Sequence, residues 1–314
     1  MSQTRTGIFG FKLTLSLVLL ACWPTFVWAD EPVSGDSVIR GGSPDDEIVI
    51  TTTSRLAGAI HSLTWHGREF IDSVDHGRQL QSASSFDNSR EFGAETFNPT
   101  EAGSRDDADG PTSTSRLFEL VTKPGELRTR NLMAFWLAPG EKSQGQLARN
   151  SERLSRHQLQ KDLKIGHQLG PDVLDYRVTF KLPDGEPHRT AQFEALTGYM
   201  PPVFEKFFRF DRTQRRLVPL TDGPGEQADP IVFATADERH AMGIVAVTAP
   251  TKSQQGPNYG RWRFNSERVV KWNCVYRESG TVEAGERIFQ MLVPIGTKDR
   301  VESIIDQVLS QTSP

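Results

Sequence analysis

The sequence predicts an all-β protein: one large antiparallel two-sheet supersandwich with a C-terminal helix. Three observations carry that prediction. Apolar and β-branched runs recur about a dozen times, each bounded by a turn signal. A helical period is absent from the body and occurs only near the end, where Val301, Ile304, Ile305 and Val308 stand at i, i+3, i+4 and i+7. The 314 residues, 36% hydrophobic with 18 Phe and 19 Pro, suit a large core laced with turns. Lys+Arg 36 against Asp+Glu 40 leaves a net charge of -4. That balance carries no basic excess for nucleic acid and is too ordinary for a disordered chain.

The first 29 residues read as a secretory signal peptide. Arg5 and Lys12 are the only charges before Asp30, an apolar run follows from Leu13 to Cys22, and Val27-Trp28-Ala29 offers a cleavage site. Pro24 interrupts the run and weakens a spanning helix. Export to the periplasm or the extracellular space is therefore expected, with no stable membrane span after processing. Leu19-Leu20-Ala21-Cys22 offers a second route, lipidation at Cys22. Cleavage after Ala29 removes Arg5 and Lys12 and takes the charge from -4 to -6. It leaves Cys274 alone, so no internal disulfide is expected, and its apolar surroundings predict a buried thiol.

Residues 30–46, rich in Pro, Gly, Ser and Asp, read as a flexible leader, and 47–314 as one sandwich domain. Ile48-Val49-Ile50 opens the strands. Ile60, Leu63 and Trp65, then the turn pair His66-Gly67, then Phe70-Ile71 describe a hairpin. Strands are expected at 117–121, 132–137 and 159–165. Residues 173–182 alternate cleanly, turn at Pro183-Asp184-Gly185 and return through 191–196. Further strands are expected at 203–210, 231–234, 242–247, 259–264, 269–276 and 288–293, and the helix over 298–309. No internal repeat interrupts the series.

The opening segment Gly58-Ala59-Ile60-His61-Ser62-Leu63-Thr64-Trp65-His66-Gly67-Arg68-Glu69-Phe70, followed by long antiparallel strands, resembles the start of galactose-mutarotase-like (aldose-epimerase-like) domains. The resemblance covers nearly all of 47–311. It implies the supersandwich fold found in many carbohydrate-active proteins and a carbohydrate ligand. It is a likeness of fold: the epimerase set of an Asn-x-x-x-Arg loop, two histidines and a late glutamate is not matched.

The densest polar segment runs from Asp72 to Asp109. A loop of this composition on a rigid β-scaffold is where sites reside. A sugar needs planar hydrogen-bonding groups and an aromatic face, and a reaction on it needs a positioned acid and base. His76, Glu101 and Arg78 are the candidate catalytic residues, expected to converge on one concave sheet face. Asn98, Arg105, Gln79, His240 and Trp272 are the candidate substrate-binding residues. The alternative is that these side chains only hydrogen-bond the loops to one another. Trp272, flanked by Lys271 and Asn273, has a core reading besides its role as a platform, since alternation places its neighbours on the opposite face. Glu194 and Glu205 are expected to face outward. His157, His167 and His188 read as surface groups.

No His-x-His or His-Glu-x-x-His spacing, phosphate loop or dinucleotide fingerprint is present, so neither a metal nor a cofactor is expected. Asp106-Asp107-Ala108-Asp109-Gly110 lacks the EF-hand spacing and reads as an acidic turn rather than a calcium loop. The function expected is an exported carbohydrate-active protein that hydrolyses, eliminates or isomerises a glycan-derived sugar. The alternatives are a non-catalytic glycan-binding protein and a structural envelope protein. Nothing in the sequence sets the sugar, the linkage or the oligomeric state.

Overall fold

The computed structural model describes residues 1–2 and 33–312. The expected signal peptide, the Ala29 cleavage site and Cys22 lie outside the described residues.

Strand β1 (Ser37–Ser43) pairs with β2 (Asp46–Thr52), and β3 (Ile60–Trp65) turns into β4 (Arg68–Glu69). Next come β5 (Leu80–Phe86), β6 (Pro99–Thr100), β7 (Arg116–Lys123) and β8 (Glu126–Phe135). A small separate hairpin, β9 (Lys142–Ser143) with β10 (Gln146–Leu147), forms the second sheet. Three long strands follow: β11 (Leu154–His167), β12 (Gly170–Leu182) and β13 (His188–Met200). Then come β14 (Lys206–Asp211), β15 (Arg216–Pro219), β16 (Gly225–Gln227), β17 (Ile231–Ala234) and β18 (Ala241–Ala246). The body ends with β19 (Gln254–Phe264), β20 (Val269–Val282) and β21 (Gly285–Gly296), and α1 (Lys298–Thr312) is the one α-helix among the described residues.

All these pairings are antiparallel, and they trace two series. One runs β1, β2, β3, β5, β13, β20, β19, β16. The other runs β7, β8, β11, β12, β21, β18, β17, β14, β15. The two-residue β6 pairs with β5 on one side and β8 on the other and so joins them.

Alternation decides what each series buries. On β20, Trp272, Cys274 and Tyr276 enter the core while Lys271, Asn273 and Arg277 take the other face. Residues of the second series, including Tyr176, Phe180 and Phe289, complete the same cluster. Tyr276 stacks on Phe289 at 4.4 Å between centroids, and Phe193 lies 5.2 Å from Phe180. Cys274 is buried and its thiol is pushed up by burial, which leaves it an inert packing group. Helix α1 covers the outer face of the second series through Val301, Ile304, Ile305 and Val308, the four positions its period marked. Gly243 on β18 admits that contact: a Cβ there would stand 2.7 Å from Val301 Cγ1.

Two expectations are corrected. The segment read as a flexible leader contains β1, whose Ile39 is buried; its Gly and Ser content hid a paired strand. Strand β8 begins at Glu126 rather than near 132, because its inward positions include Thr129 and Asn131 as well as Leu127 and Met133. His66 and Gly67, both with positive φ (49° and 70°), make the β3–β4 turn that the dipeptide foretells.

The inward polar groups of β8 belong to a buried set at the junction of the two series. Lys161 on β11 and Glu101, one residue past β6, are both fully buried, with Nζ 2.5 Å from Oε1. Lys161 also donates to Gly58 O at 3.3 Å, and the Ser82 amide donates to Glu101 Oε2 at 3.0 Å. Asn131 donates to the Glu101 carbonyl, and Ser82 Oγ lies 3.0 Å from Tyr176 Oη. Burial, and then the Glu101 charge, raise the Tyr176 hydroxyl well above its ordinary value, so it stays protonated. Removing one partner of a buried pair strands the other charge. Lys161→Met is expected to destabilise the fold by about 3–5 kcal/mol, and Lys161→Met with Glu101→Leu to recover most of that loss. Urea unfolding of the single and double variants checks this; equal losses in both would show that the charges themselves are not coupled.

Candidate functional site

The sheet face opposite the core, on β5, β13, β20 and β19, carries polar and aromatic side chains where the inner face carries apolar ones. Its shape depends on an irregularity in β13. Glu194 pairs with Val275 and Leu196 with Cys274, so one residue is skipped. Ala195 and Leu196 both turn to the core, while Glu194, Thr197 and Tyr199 all reach the outer face. Strict alternation from Glu194 would send Thr197 and Tyr199 inward.

Lys271 is the centre of this face. Its ammonium stands 3.5 Å from Glu194 Oε2, 5.3 Å from the Tyr199 ring centroid and 5.2 Å from that of Trp262. Thr197 Oγ1 donates to Glu194 Oε2, and Asn273 Oδ1 accepts from the Gly260 amide at 3.1 Å. The Trp262 indole folds along the sheet because residue 260 is glycine: a Cβ there would lie 2.3 Å from the ring. Glu194 and Lys271 side chains keep 20% and 17% of their exposure, so the pair is reachable from solvent.

At one border of this face, Gln81 donates to Gly77 O at 3.1 Å while its Oε1 is buried without a partner. The Trp136 ring packs on Gly77, where a Cβ would meet it at 2.8 Å. Residues 72–79 are tied to β13 by the Asp72 amide donating to Tyr199 O (2.8 Å) and the Tyr199 amide donating to Gln79 O (3.2 Å).

Opposed influences set the protonation of these groups. Burial pushes the Glu194 carboxyl up, but the Lys271 charge, with hydrogen bonds from Thr197 and Asn273, brings it below the ordinary carboxylate value. Burial pushes Lys271 down, and Glu194 and then Tyr199 reverse this and leave it above the usual lysine value. Burial raises the Tyr199 hydroxyl. At neutral pH the face therefore presents an ionised carboxylate, an ammonium and a phenol that keeps its proton.

The residues singled out in the sequence lie elsewhere or serve the scaffold. Glu101, expected as an acid or base, has both oxygens engaged inside the core, as described above. His76 is fully buried, its Nδ1 2.7 Å from Ala108 O and its Nε2 2.8 Å from Arg55 O, so both ring nitrogens are occupied by loop carbonyls. Arg78 bridges Asp75 (3.2 Å) and Asp72 (3.6 Å) within its own loop. Asn98 and Gln79 donate to Ser84 O and Asp75 O, and Arg105 pairs with Glu141 at 2.7 Å. Trp272 is a core residue whose Nε1 donates to Met200 Sδ at 3.2 Å, which replaces its platform role. The acidic turn is a brace: Asp107 accepts from the Ser104 and Thr114 amides, and Asp106 pairs with Arg153.

His240 borders a separate cavity of about 650 Å³ whose other walls include Trp65, His66, Asp172, Asp237 and Arg300. It meets Trp65 edge-on at 5.5 Å, and burial followed by the nearby Arg68 charge lowers its imidazole. None of these residues lies on the Lys271 face.

Thr197, Tyr199 and Trp262 were missed in the sequence because a one-residue irregularity and a glycine-permitted ring fold leave no periodic trace; Glu194 faces outward as alternation predicts, but was not assigned to a site. The usable signal was Lys271 and Asn273, whose alternation against Trp272 already assigned them to one face.

No known family model matches the chain, and no curated protein matches it. Among solved structures, a protein from Synechocystis sp. PCC 6803 is similar at 10% identity and a TM-score of 0.46, over 85% of this chain and 97% of that one. The heparan sulfate lyase HepC from Pedobacter heparinus is similar at 9% identity and 0.43, over 84% of this chain and 35% of that one. The GH36 alpha-galactosidase AgaB from Geobacillus stearothermophilus is similar at 9% and 0.45, over 85% and 40%. The chain thus spans about 35–40% of the length of these two enzymes.

The electrostatic balance on the Lys271 face gives a direct expectation. With Lys271 in place, Glu194 titrates below its ordinary value of about 4.3. Its contribution to stability is then full above that value and is lost as pH falls through the folded-state value. In Lys271→Met, burial acts unopposed by the ammonium and the carboxyl is expected to titrate above the ordinary value. NMR titration of the side-chain carboxyl carbon in both proteins measures this, and an unchanged midpoint would show that Lys271 does not set the charge of Glu194.

Proposed function

We propose that this is an exported carbohydrate-active protein of galactose-mutarotase-like fold, with a glycan or glycan-derived sugar held on the Lys271 face. The observation that carries the reading is the Glu194–Lys271 pair set against the Tyr199 and Trp262 rings on a partly open sheet face. A sugar is neutral and polar on its hydroxyl edge and apolar on its C–H face. The Trp262 ring suits the C–H face, while the carboxylate and the ammonium suit hydroxyls.

In a reaction, the ionised Glu194 accepts a proton, and Tyr199 and Lys271 donate hydrogen bonds to the oxygen where charge develops. A second reading, binding without turnover, is favoured by the engagement of Glu194: Thr197 and Lys271 already share Oε2, which leaves that oxygen a poorer base.

A panel of oligosaccharides and polysaccharides screened by thermal shift, with product analysis on each hit, tests both readings. Trp262→Ala is expected to weaken binding of any hit by about tenfold or more, equivalent to about 1.4 kcal/mol. Glu194→Gln is expected to keep binding and lower turnover about a hundredfold or more if the protein is catalytic. Binding that both variants leave untouched places the ligand elsewhere. Export is tested separately by mass spectrometry of the envelope fraction: the expected mature terminus is Asp30, and an intact Met1 would overturn it.

A further inference from the structure

His157 and His188, read from the sequence as surface groups, are both buried, and Glu186 lies beside them. One donor atom from each of His157, Glu186 and His188 lies within 4.8 Å of the others. His157 comes from β11, in the second strand series. His188 opens β13, in the first, and Glu186 sits in the connection between β12 and β13. No spacing rule finds such a set, because His157 meets Glu186 and His188 only when the two series pack.

We propose that His157, Glu186 and His188 form a binding site for a divalent first-row transition ion of the zinc type. The strongest sign is His188. Its side chain is 1% exposed, and neither ring nitrogen has a hydrogen-bond partner. A buried imidazole with both nitrogens unmet is costly unless something else occupies them. Its Nε2 is 3.8 Å from Glu186 Oε2, too far for a hydrogen bond. His157 Nε2 is 2.9 Å from that same oxygen. These separations lie on either side of the roughly 3.3 Å between donors that each sit about 2.0–2.1 Å from a tetrahedral ion.

The surroundings fit a metal better than a bare hydrogen-bond cluster. Arg156 holds Glu186 through Oε1, at 2.9 Å from Nη2 and 3.2 Å from Nε, which leaves Oε2 to the histidines. On the far side of His188, Nδ1 stands 3.8 Å from Asp87 Oδ1, a carboxylate fixed by the Arg189 and Thr190 amides. A carboxylate behind a ligating histidine orients the ring and raises its basicity. Phe86 packs against both imidazoles, 4.7 Å from His157 and 4.6 Å from His188, and holds them at fixed orientation. Two imidazoles and one carboxylate are the donor set that borderline ions prefer over calcium or magnesium. Glu186 keeps 17% of its exposure, so an ion has access from solvent and a water can complete the coordination. The bound ion would pin β11 to the start of β13 and so clamp the two series at this end.

The test uses the full-length, tag-free protein stripped with a chelator. Zinc titration against a chromogenic competitor is expected to give one ion per chain, and zinc, but not magnesium or calcium, is expected to raise the melting temperature. Cobalt in place of zinc is expected to give the intense visible bands of a four-coordinate site. His188→Gln and Glu186→Gln should each lower zinc affinity at least about tenfold, and Asp87→Asn about tenfold. Absence of stoichiometric binding, or an affinity in Glu186→Gln and His188→Gln equal to that of the unmodified protein, would overturn the proposal. If His188→Gln fails to fold, the cobalt spectrum of the unmodified protein and the partly exposed Glu186→Gln still decide it.

Discussion

The buried pair of Lys161 and Glu101 is the constraint on which the arrangement of the sheets depends. Glu101 directly follows the two-residue strand that joins the two series, and Lys161 comes from the long strand β11 across the junction. Neither charge has water to turn to, so each enforces the position of the other. Ser82, Asn131, Gly58 and Tyr176 complete their hydrogen bonding. Such a set tolerates little shift in register, because a slip of one residue on either strand would leave a charge unmatched in an apolar interior. The pair also anchors the later part of the polar segment from Asp72 to Asp109, whose remaining groups are tied down by carbonyls, amides and ion pairs of their own. His76 and Glu101 point inward and hold loops to strands.

The opposite sheet face uses electrostatics differently. Lys271 and Glu194 are partly open, and their mutual attraction outweighs the cost of burial instead of being forced by it. A partly open ion pair between aromatic rings can exchange some of its hydrogen bonds for those of a ligand. The fully enclosed pair at Lys161 cannot. Identical chemistry, a carboxylate and an ammonium, therefore serves architecture at one place and is offered to solvent at another, and depth in the fold makes the difference.

The histidines show the same division. His76 is saturated by two carbonyls and belongs to the loop framework. His188 is as deeply buried yet left unmet, and it lies between two carboxylates rather than two carbonyls. The contrast lies in the backbone around each ring: carbonyl oxygens converge on His76, whereas the amides at 189 and 190 near His188 point at Asp87.

Period-two alternation, the turn pairs at His66-Gly67 and Asp184-Gly185, and the i, i+3, i+4, i+7 pattern of α1 are local properties, and the sequence alone determined them. Most of the strand positions, the docking face of the helix, the burial of Cys274 and the side on which Lys271 and Asn273 lie were legible, since each follows from chain geometry over a few residues; the order in which the strands pair was not. The site was not. Whether Glu101 faces solvent or Lys161, whether Tyr199 joins Glu194, and whether His157 meets His188 depend on one skipped residue in β13, on a glycine at 260, and on contacts between strands about 30 to 60 residues apart in the chain. A composition of His, Arg and carboxylates marks a segment that must satisfy its polar groups, but only tertiary packing decided that at 76 and 101 the partners are the protein's own carbonyls and lysine.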